Sequence, residues 1–167
     1  KDYMDLRDRQ MAANLKWLVD YKYPNRKVIV WAHNAHIFKN GNLIKPAKPA
    51  LNYDDWVSMG HFFTRDSALN KQTYILGFSS NRGTAGRISN SQKYQVLPPL
   101  PNGFENWFSN ETNYAFVDFK KYRESNPKLL PYFNMKGKYH INNEAAWTSV
   151  FDGIFYIKDM YPCDKIE

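Results

Sequence analysis

The order of apolar and polar residues predicts a helix followed directly by a buried strand near the start of the chain. Between residues 4 and 22, apolar residues recur at helical spacing and form one stripe: Met4, Met11, Leu15 and Leu18. Pro24 and Asn25 end this helix. The unbroken apolar run at 28–31 is typical of a strand buried in a parallel sheet.

Further strands and helices are predicted downstream. Apolar segments predict strands at 72–78, 114–119 and 150–157, and helices at 54–66 and 105–109. Segments rich in Asn, Lys, Gly or Pro, together with one irregular stretch, predict loops and turns at 37–53, 81–86, 89–103 and 122–138. The alternation of strands and helices predicts a layered α/β/α fold with a largely parallel or mixed central sheet.

Two histidines follow the predicted strand and form the candidate site. The strand leads through Trp31 into His33, Asn34 and His36. Buried strands of open α/β sheets deliver ligand-facing groups at their carboxyl ends, and imidazoles move protons near neutral pH. The alternative is that both histidines are loop residues satisfied by backbone hydrogen bonds.

Arg7 is the second candidate, because it falls on the apolar stripe of the first helix. A buried guanidinium is costly unless an acceptor pairs with it. Two interpretations remain open at this point. Arg7 either snorkels or forms a structural ion pair, or it is substantially buried and reaches a polar pocket beside the histidines.

Composition narrows the function classes. A chain of 167 residues with 43% hydrophobic residues suits one folded domain, and its 17% aromatic content fits an aromatic-lined cleft or an aromatic core. The net charge of +7 comes from scattered residues, so we expect neither a nucleic-acid nor a membrane partner. Cys163 is the only cysteine, which excludes an internal disulfide. Cytoplasmic and exported locations both stay open.

Taken together, the motifs resemble the erythromycin esterase family over essentially the whole chain. The likeness lies first in the spacing of Arg7, Asp8, Met11 and Asn14 and in the block from Val30 to His36. It continues at Ser58–Gly60, Tyr74–Phe78, Gly83–Thr84, Gly103–Glu105 and Phe151–Ile157. Gly103 departs from the pattern, since the family more often has serine before this glutamate.

The resemblance implies a hydrolase that opens a cyclic ester of the macrolactone type, the activity behind macrolide antibiotic resistance, without a metal or other cofactor. Water activated by histidine is the nucleophile. His33, His36 and Arg7 are then the catalytic candidates, and Asn34 and Trp31 are the candidates for binding the small-molecule ester. No glycine-x-serine-x-glycine elbow is present, so a serine nucleophile is not expected.

The resemblance also predicts that this chain is a fragment. Family members are considerably longer, and their amino-terminal half carries a glycine-glutamate-x-x-histidine motif whose histidine is the expected general base. Nothing in residues 1–167 matches it. We therefore expect either a single domain or the carboxy-terminal half of an erythromycin-esterase-like domain, with an incomplete sheet. Its exposed apolar face would dock the missing half or a second copy, and the chain alone would be catalytically silent.

Two other functions stay open. His33 and His36 have the spacing of a zinc-binding pair, which a carboxylate could complete in a metal-dependent hydrolase. The chain could also be a non-catalytic binding protein that keeps the fold, because fold alone does not fix activity.

Overall fold

The computed structural model of the protein describes residues 2–45, 57–86 and 92–163. Within these ranges the helices are α1 (Asp2–Trp17), α2 (Asn34–Ile37), α3 (Met59–Thr64), α4 (Ser67–Gln72), α5 (Phe119–Ser125) and α6 (Trp147–Val150). The strands are β1 (Ile44–Lys45), β2 (Leu76–Ala85), β3 (Tyr94–Gln95), β4 (Tyr114–Asp118), β5 (Phe133–Lys138), β6 (Ile141–Ala145) and β7 (Gly153–Met160). A π-helical turn, Leu18–Lys22, extends α1, and 3-10 turns cover Gly41–Leu43 and Phe104–Asn106.

These strands form two sheets. The larger has the order β3-β2-β7-β4, in which β2 and β7 are parallel and the other pairs are antiparallel. The smaller has the order β1-β6-β5 and is antiparallel. The predicted α/β class is therefore confirmed, with one mixed and one antiparallel sheet in place of a single central sheet.

Aromatic residues fill the core that both sheets share. The largest buried aromatic side chains are Trp147, Tyr156, Phe38, Phe104, Phe119 and Phe151. Burial of such side chains stabilises the fold by roughly 1.5–3 kcal/mol each. Part of the high aromatic content thus serves the core, whereas other aromatic residues, Trp31 and Trp107 among them, are exposed. None of the helices in the described part of the chain combines the length and apolarity needed to cross a bilayer.

One buried carboxylate fastens the start of β2 to the start of β7. Asp152 accepts hydrogen bonds from the Ile75 backbone N–H at 2.9 Å, from Lys39 Nζ at 2.9 Å and from Arg123 Nη2 at 2.6 Å. Burial alone would raise the pKa of Asp152, but these donors reverse the effect and hold the pKa below its usual range. Asp152 is therefore a structural anion at the junction.

The segment before the histidines departs most from the sequence prediction. Residues 26–33 belong to no helix or strand, and they pair with no strand of the described residues. Ile29 is 92% exposed and Trp31 is 85% exposed. The prediction of a buried parallel strand at 28–31 is wrong for this chain, because an apolar segment is buried in a sheet only where neighbouring strands and a covering layer are present.

Other boundaries also move. The first helix is confirmed, whereas the strand predicted at 72–78 begins later and runs as β2 through the glycine turn predicted at 81–86. Gly83 allows this continuation with φ +107, and a Cβ there would lie 2.2 Å from the Met160 carbonyl oxygen. The segment 122–138, predicted to be irregular, contains most of α5 and all of β5. The predicted helix start at 54–55 lies outside the described residues, and α3 begins after its N-cap Ser58.

Candidate active site

The two candidate histidines lie at the one-turn helix α2, directly after the segment 27–32. His33 is the N-cap residue, and its Nδ1 accepts a hydrogen bond from the Ala35 N–H at 3.1 Å. His36 lies in the same turn. The predicted position at the end of a paired strand is therefore wrong, although both histidines still follow the segment 27–32 directly. Since His33 Nδ1 accepts, a neutral His33 carries its proton on Nε2.

Asn34 fixes α2 to both sheets. Its Nδ2 donates to the Phe78 carbonyl oxygen at 2.7 Å and to the Gly137 carbonyl oxygen at 2.8 Å. Its Oδ1 accepts from the Phe78 N–H at 3.1 Å. These bonds tie the turn between the histidines to β2 and β5. The structure thus shows Asn34 as a clamp, while its predicted contact with the substrate stays a prediction.

His36 is held between an arginine and an aspartate. Its Nδ1 lies 3.0 Å from both carboxylate oxygens of Asp8, and its Nε2 lies 2.9 Å from Arg7 Nη2. Arg7 can only donate, so Nε2 must accept, and the proton of a neutral ring sits on Nδ1 and is donated to Asp8. A carboxylate that holds Nδ1–H leaves Nε2 with the lone pair needed for proton transfer.

Arg7 reaches the histidines but is less buried than predicted. Its side chain is 39% exposed, and its Nε lies 3.6 Å from Asp8. The guanidinium therefore spans the boundary between the buried carboxylate and solvent, beside His36. A positive group in this place can meet a negative charge that develops on a bound molecule.

Asp8 is the residue that the sequence analysis missed as a site residue. Its exposure is 0%, and it also accepts a hydrogen bond from the Met59 N–H at 3.1 Å, which ties α1 to α3. It appears in the family-like motif beside Arg7, but helical spacing alone does not distinguish a buried aspartate from a surface one. The available signal was a carboxylate adjacent to an arginine on a partly apolar helix.

An aromatic ring contacts the other histidine, and Trp31, which lies before it in sequence, belongs to a second aromatic pair. The Tyr139 ring stacks on the His33 ring with centroids 5.1 Å apart and an interplanar angle of 28°. The Trp31 ring contacts Phe78 of β2 with centroids 5.7 Å apart. Trp31 keeps most of its surface free, so its predicted role in binding an ester remains a prediction.

No ligand set for a metal is found among residues 2–45, 57–86 and 92–163: no three or more His, Cys, Asp or Glu side chains are grouped to hold an ion. Both ring nitrogens of His36 contact protein groups, Asp8 and Arg7. The zinc-binding interpretation of the histidine pair therefore gains no support from the geometry.

A mixed α/β fold that carries an aspartate-held histidine beside an arginine has the groups that a hydrolase needs for proton transfer and for charge stabilisation. The sequence profile of the erythromycin esterase family matches residues 1–160, and the chain belongs to that family.

One relative and two solved structures are similar to this chain. YbfO of Bacillus subtilis (strain 168), provisionally named a hydrolase, is 27% identical over 168 residues, which cover 94% of this chain and 35% of YbfO. A crystal structure of a Bacillus cereus protein has a TM-score of 0.67 at 19% identity and covers 95% of this chain and 39% of that one. A succinoglycan biosynthesis protein has a TM-score of 0.63 at 15% identity, with 93% and 38% covered. The two structures show the fold, and the chain spans little more than a third of each of these proteins.

Proposed function

We propose that this chain supplies the arginine–histidine part of an active site that hydrolyses a cyclic ester of the macrolactone class. Family membership and the relative named as a hydrolase support the reaction class. The observation that carries the proposal is the buried Asp8, which holds His36 with its Nε2 toward Arg7. Such an arrangement couples a proton-transfer group to a fixed positive charge.

In the proposed reaction, the ester carbonyl oxygen takes the guanidinium of Arg7 and so releases His36 Nε2. Water attacks the carbonyl carbon and gives up one proton, and the oxyanion is stabilised by Arg7. Collapse of the tetrahedral intermediate breaks the bond to the ring oxygen, and that oxygen receives a proton. The products are a carboxylic acid and an alcohol in one opened chain, with atoms and protons balanced.

One group must take the proton of water and another must protonate the leaving oxygen. His36 suits one of these tasks, because Asp8 fixes its tautomer. The family resemblance assigns the other task to a histidine outside residues 1–167. In the proposed site, His33, whose Nε2 carries the proton in the neutral ring, donates a hydrogen bond to an oxygen that gains charge.

The proposal includes a partner: the complementary portion of the erythromycin esterase fold, which the longer relatives contain. Its docking site on this chain is the segment 27–32, whose backbone pairs with no described strand. The surface of the segment is apolar, with Ile29 and Trp31 largely in solvent. An extended apolar strand from the partner would satisfy both the backbone groups and the side chains.

The open surroundings of the histidines fit this incomplete site. Two cavities among the described residues, of about 250 Å³ and 200 Å³, lie elsewhere: one is lined by Lys39 and Arg123, the other by Ala12 and Phe62 among others. Neither includes His33 or His36. Enclosure by the partner would exclude water and strengthen the interaction of Arg7 with an oxyanion.

The test measures hydrolysis of a macrolide and of a simple lactone by the 167-residue chain and by the complete gene product, with the mass of each determined by light scattering. We expect the chain alone to be silent and the complete gene product to be active. We also expect Arg7→Ala to lower turnover in the active form, whereas the exposed Arg65→Ala serves as the control.

Robust esterase activity of a monomeric 167-residue chain, abolished by His33→Ala, would show that the site is complete and would refute the partner proposal. A silent chain that forms dimers would identify a second copy as the occupant of segment 27–32. Absence of hydrolysis in the complete gene product would refute the proposed reaction and favour a binding protein that keeps the fold.

A further inference from the structure

The turn between β5 and β6 has an unusual backbone. Lys138 pairs with Ile141, so the hairpin loop consists of only Tyr139 and His140. Both residues have φ 54, in the left-handed region. Two-residue hairpins with this geometry favour Asn-Gly or Asp-Gly, and a non-glycine residue held there costs about 1–3 kcal/mol. Two large aromatic side chains have been placed where the backbone favours small residues.

Both side chains of this turn make specific contacts beside the candidate site. The Tyr139 ring stacks on His33, with centroids 5.1 Å apart. His140 Nδ1 lies 3.0 Å from the hydroxyl oxygen of Ser80, which is 1% exposed. The Tyr94 ring approaches His140 edge-on at 6.4 Å. The strained turn is thus held from β2 and β3 while it presents Tyr139 to His33.

The charge of His33 also acts on His140. Burial lowers the pKa of His140, and the positive charges of His33 and Lys136 lower it further. A positive charge on His33 therefore disfavours a positive charge on His140.

A second contact ties the same two backbones together. Asn34, next to His33 in sequence, donates a hydrogen bond to the carbonyl oxygen of Gly137, two residues before Tyr139. The amide clamp and the ring stack therefore join α2 to the end of β5 at two neighbouring points. Two restraints of different chemistry fix the relative placement of His33 and the turn.

We propose that the Tyr139–His140 turn is a positioning element for His33, in which Tyr139 orients the imidazole by stacking and the Ser80–His140 contact holds the turn in its strained form. The placement stands on geometry alone, whereas its effect on turnover rests on the proposed function. Sub-ångström misplacement of groups near a reacting centre costs catalysis steeply, with about 10²-fold for 1 Å.

The first experiment observes the four histidine rings of the 167-residue chain by NMR. Tyr139→Ala should move the ring signals of His33 downfield, because the shielding by the stacked ring is lost, and Tyr139→Phe should leave them in place. His33→Asn should raise the pKa of His140 in a pH titration, since a repelling charge is removed. His61 provides the internal control signal.

The second experiment uses the complete gene product with a lactone substrate. Tyr139→Ala should lower kcat by about 10-fold or more with little change in KM, and Tyr139→Phe should restore it. Tyr139→Gly relieves the left-handed backbone, so it should match or exceed the thermal stability of the parent protein and still lose kcat. A turn with only a structural role would show no such loss.

The two proposals fail separately. Unchanged His33 signals in Tyr139→Ala would overturn the positioning role, whatever the activity. Shifted His33 signals in a protein that hydrolyses no ester would refute the proposed reaction and leave the positioning role in place.

Discussion

Two regions of this protein are built around a buried aspartate, and they use it for different ends. Asp152 sits at the junction of β2 and β7 and receives two cations, Lys39 and Arg123. Asp8 lies on α1, faces α2, and is paired with one arginine and one imidazole. The side chains paired with Asp152 are both cations, whereas one of the side chains paired with Asp8 is the imidazole of His36.

Burial does not distinguish the two carboxylates, because both are almost inaccessible to solvent, whereas the nature of their partners does. The hydrogen bonds of Asp152 join the start of β7 to the residue before β2, to α5 and to Lys39. Around Asp8, the same kind of pairing fixes a tautomer of His36 and leaves Arg7 partly exposed. The Asp8 cluster thus adds an imidazole to its aspartate–arginine pair, whereas the Asp152 cluster adds a lysine.

The largest expected effect comes from Asp8→Asn. An asparagine keeps the shape but removes the charge and the strong acceptor for Nδ1–H, so the tautomer of His36 is no longer fixed. We expect lactone turnover by the complete gene product to fall by roughly 10²–10⁴-fold, the usual contribution of a positioned proton-transfer group. The measurement is kcat/KM, with the exposed Asp20→Asn as the matched control. An equal fall for both variants would contradict the role of Asp8.

Asp152→Asn should reverse this pattern. It leaves Lys39 and Arg123 partly buried without their counter-charge, so the free energy of unfolding should fall by about 3–5 kcal/mol, measured by urea denaturation. A folded Asp152→Asn protein should keep the turnover of the parent. If Asp8→Asn destabilised the fold more than Asp152→Asn, the two carboxylates would have exchanged the roles assigned to them.

The same residue predicts the acid limit of stability. The pKa of Asp152 is lower in the folded protein than in the unfolded chain, where it is about 3.9. Its contribution is therefore complete at pH values above the unfolded pKa and is lost as the pH falls through the folded pKa. The free energy of unfolding, measured by urea denaturation between pH 7 and pH 2, should depend less steeply on pH for Asp152→Asn than for the parent. The same pH dependence of the free energy of unfolding in both proteins would show that another group sets the acid limit.

Arg7→Ala should have the smallest effect on the fold among these changes. The side chain is partly exposed, and ion pairs near solvent contribute about 0–1 kcal/mol. Turnover should fall more than stability does, because the charge that meets the oxyanion is removed. Thermal melting and lactone kinetics on one preparation separate the two effects, and equal loss of both would indicate a structural ion pair.

The sequence was sufficient where local patterns determine structure. The apolar stripe predicted α1, and the position of Arg7 on that stripe predicted that its side chain reaches toward the histidines. It was insufficient where the outcome depends on groups distant in sequence. Residues 28–31 have the composition of a buried strand, yet no described strand lies beside them. The hairpin at Tyr139 lacks the small residues that announce such a turn, and the burial of Asp8 depends on α2 and α3.

The exposed segment 27–32 also bears on how the protein behaves at high concentration. Short apolar β-prone stretches with free edges are templates for ordered self-assembly into fibrils. Two cations, Lys22 and Arg26, precede this segment and a third, Lys27, is its first residue, and charges at the end of such a segment act as gatekeepers against stacking. Their repulsion weakens as salt rises. Fibril formation by the 167-residue chain should therefore accelerate with ionic strength, and replacement of these cations should remove that protection.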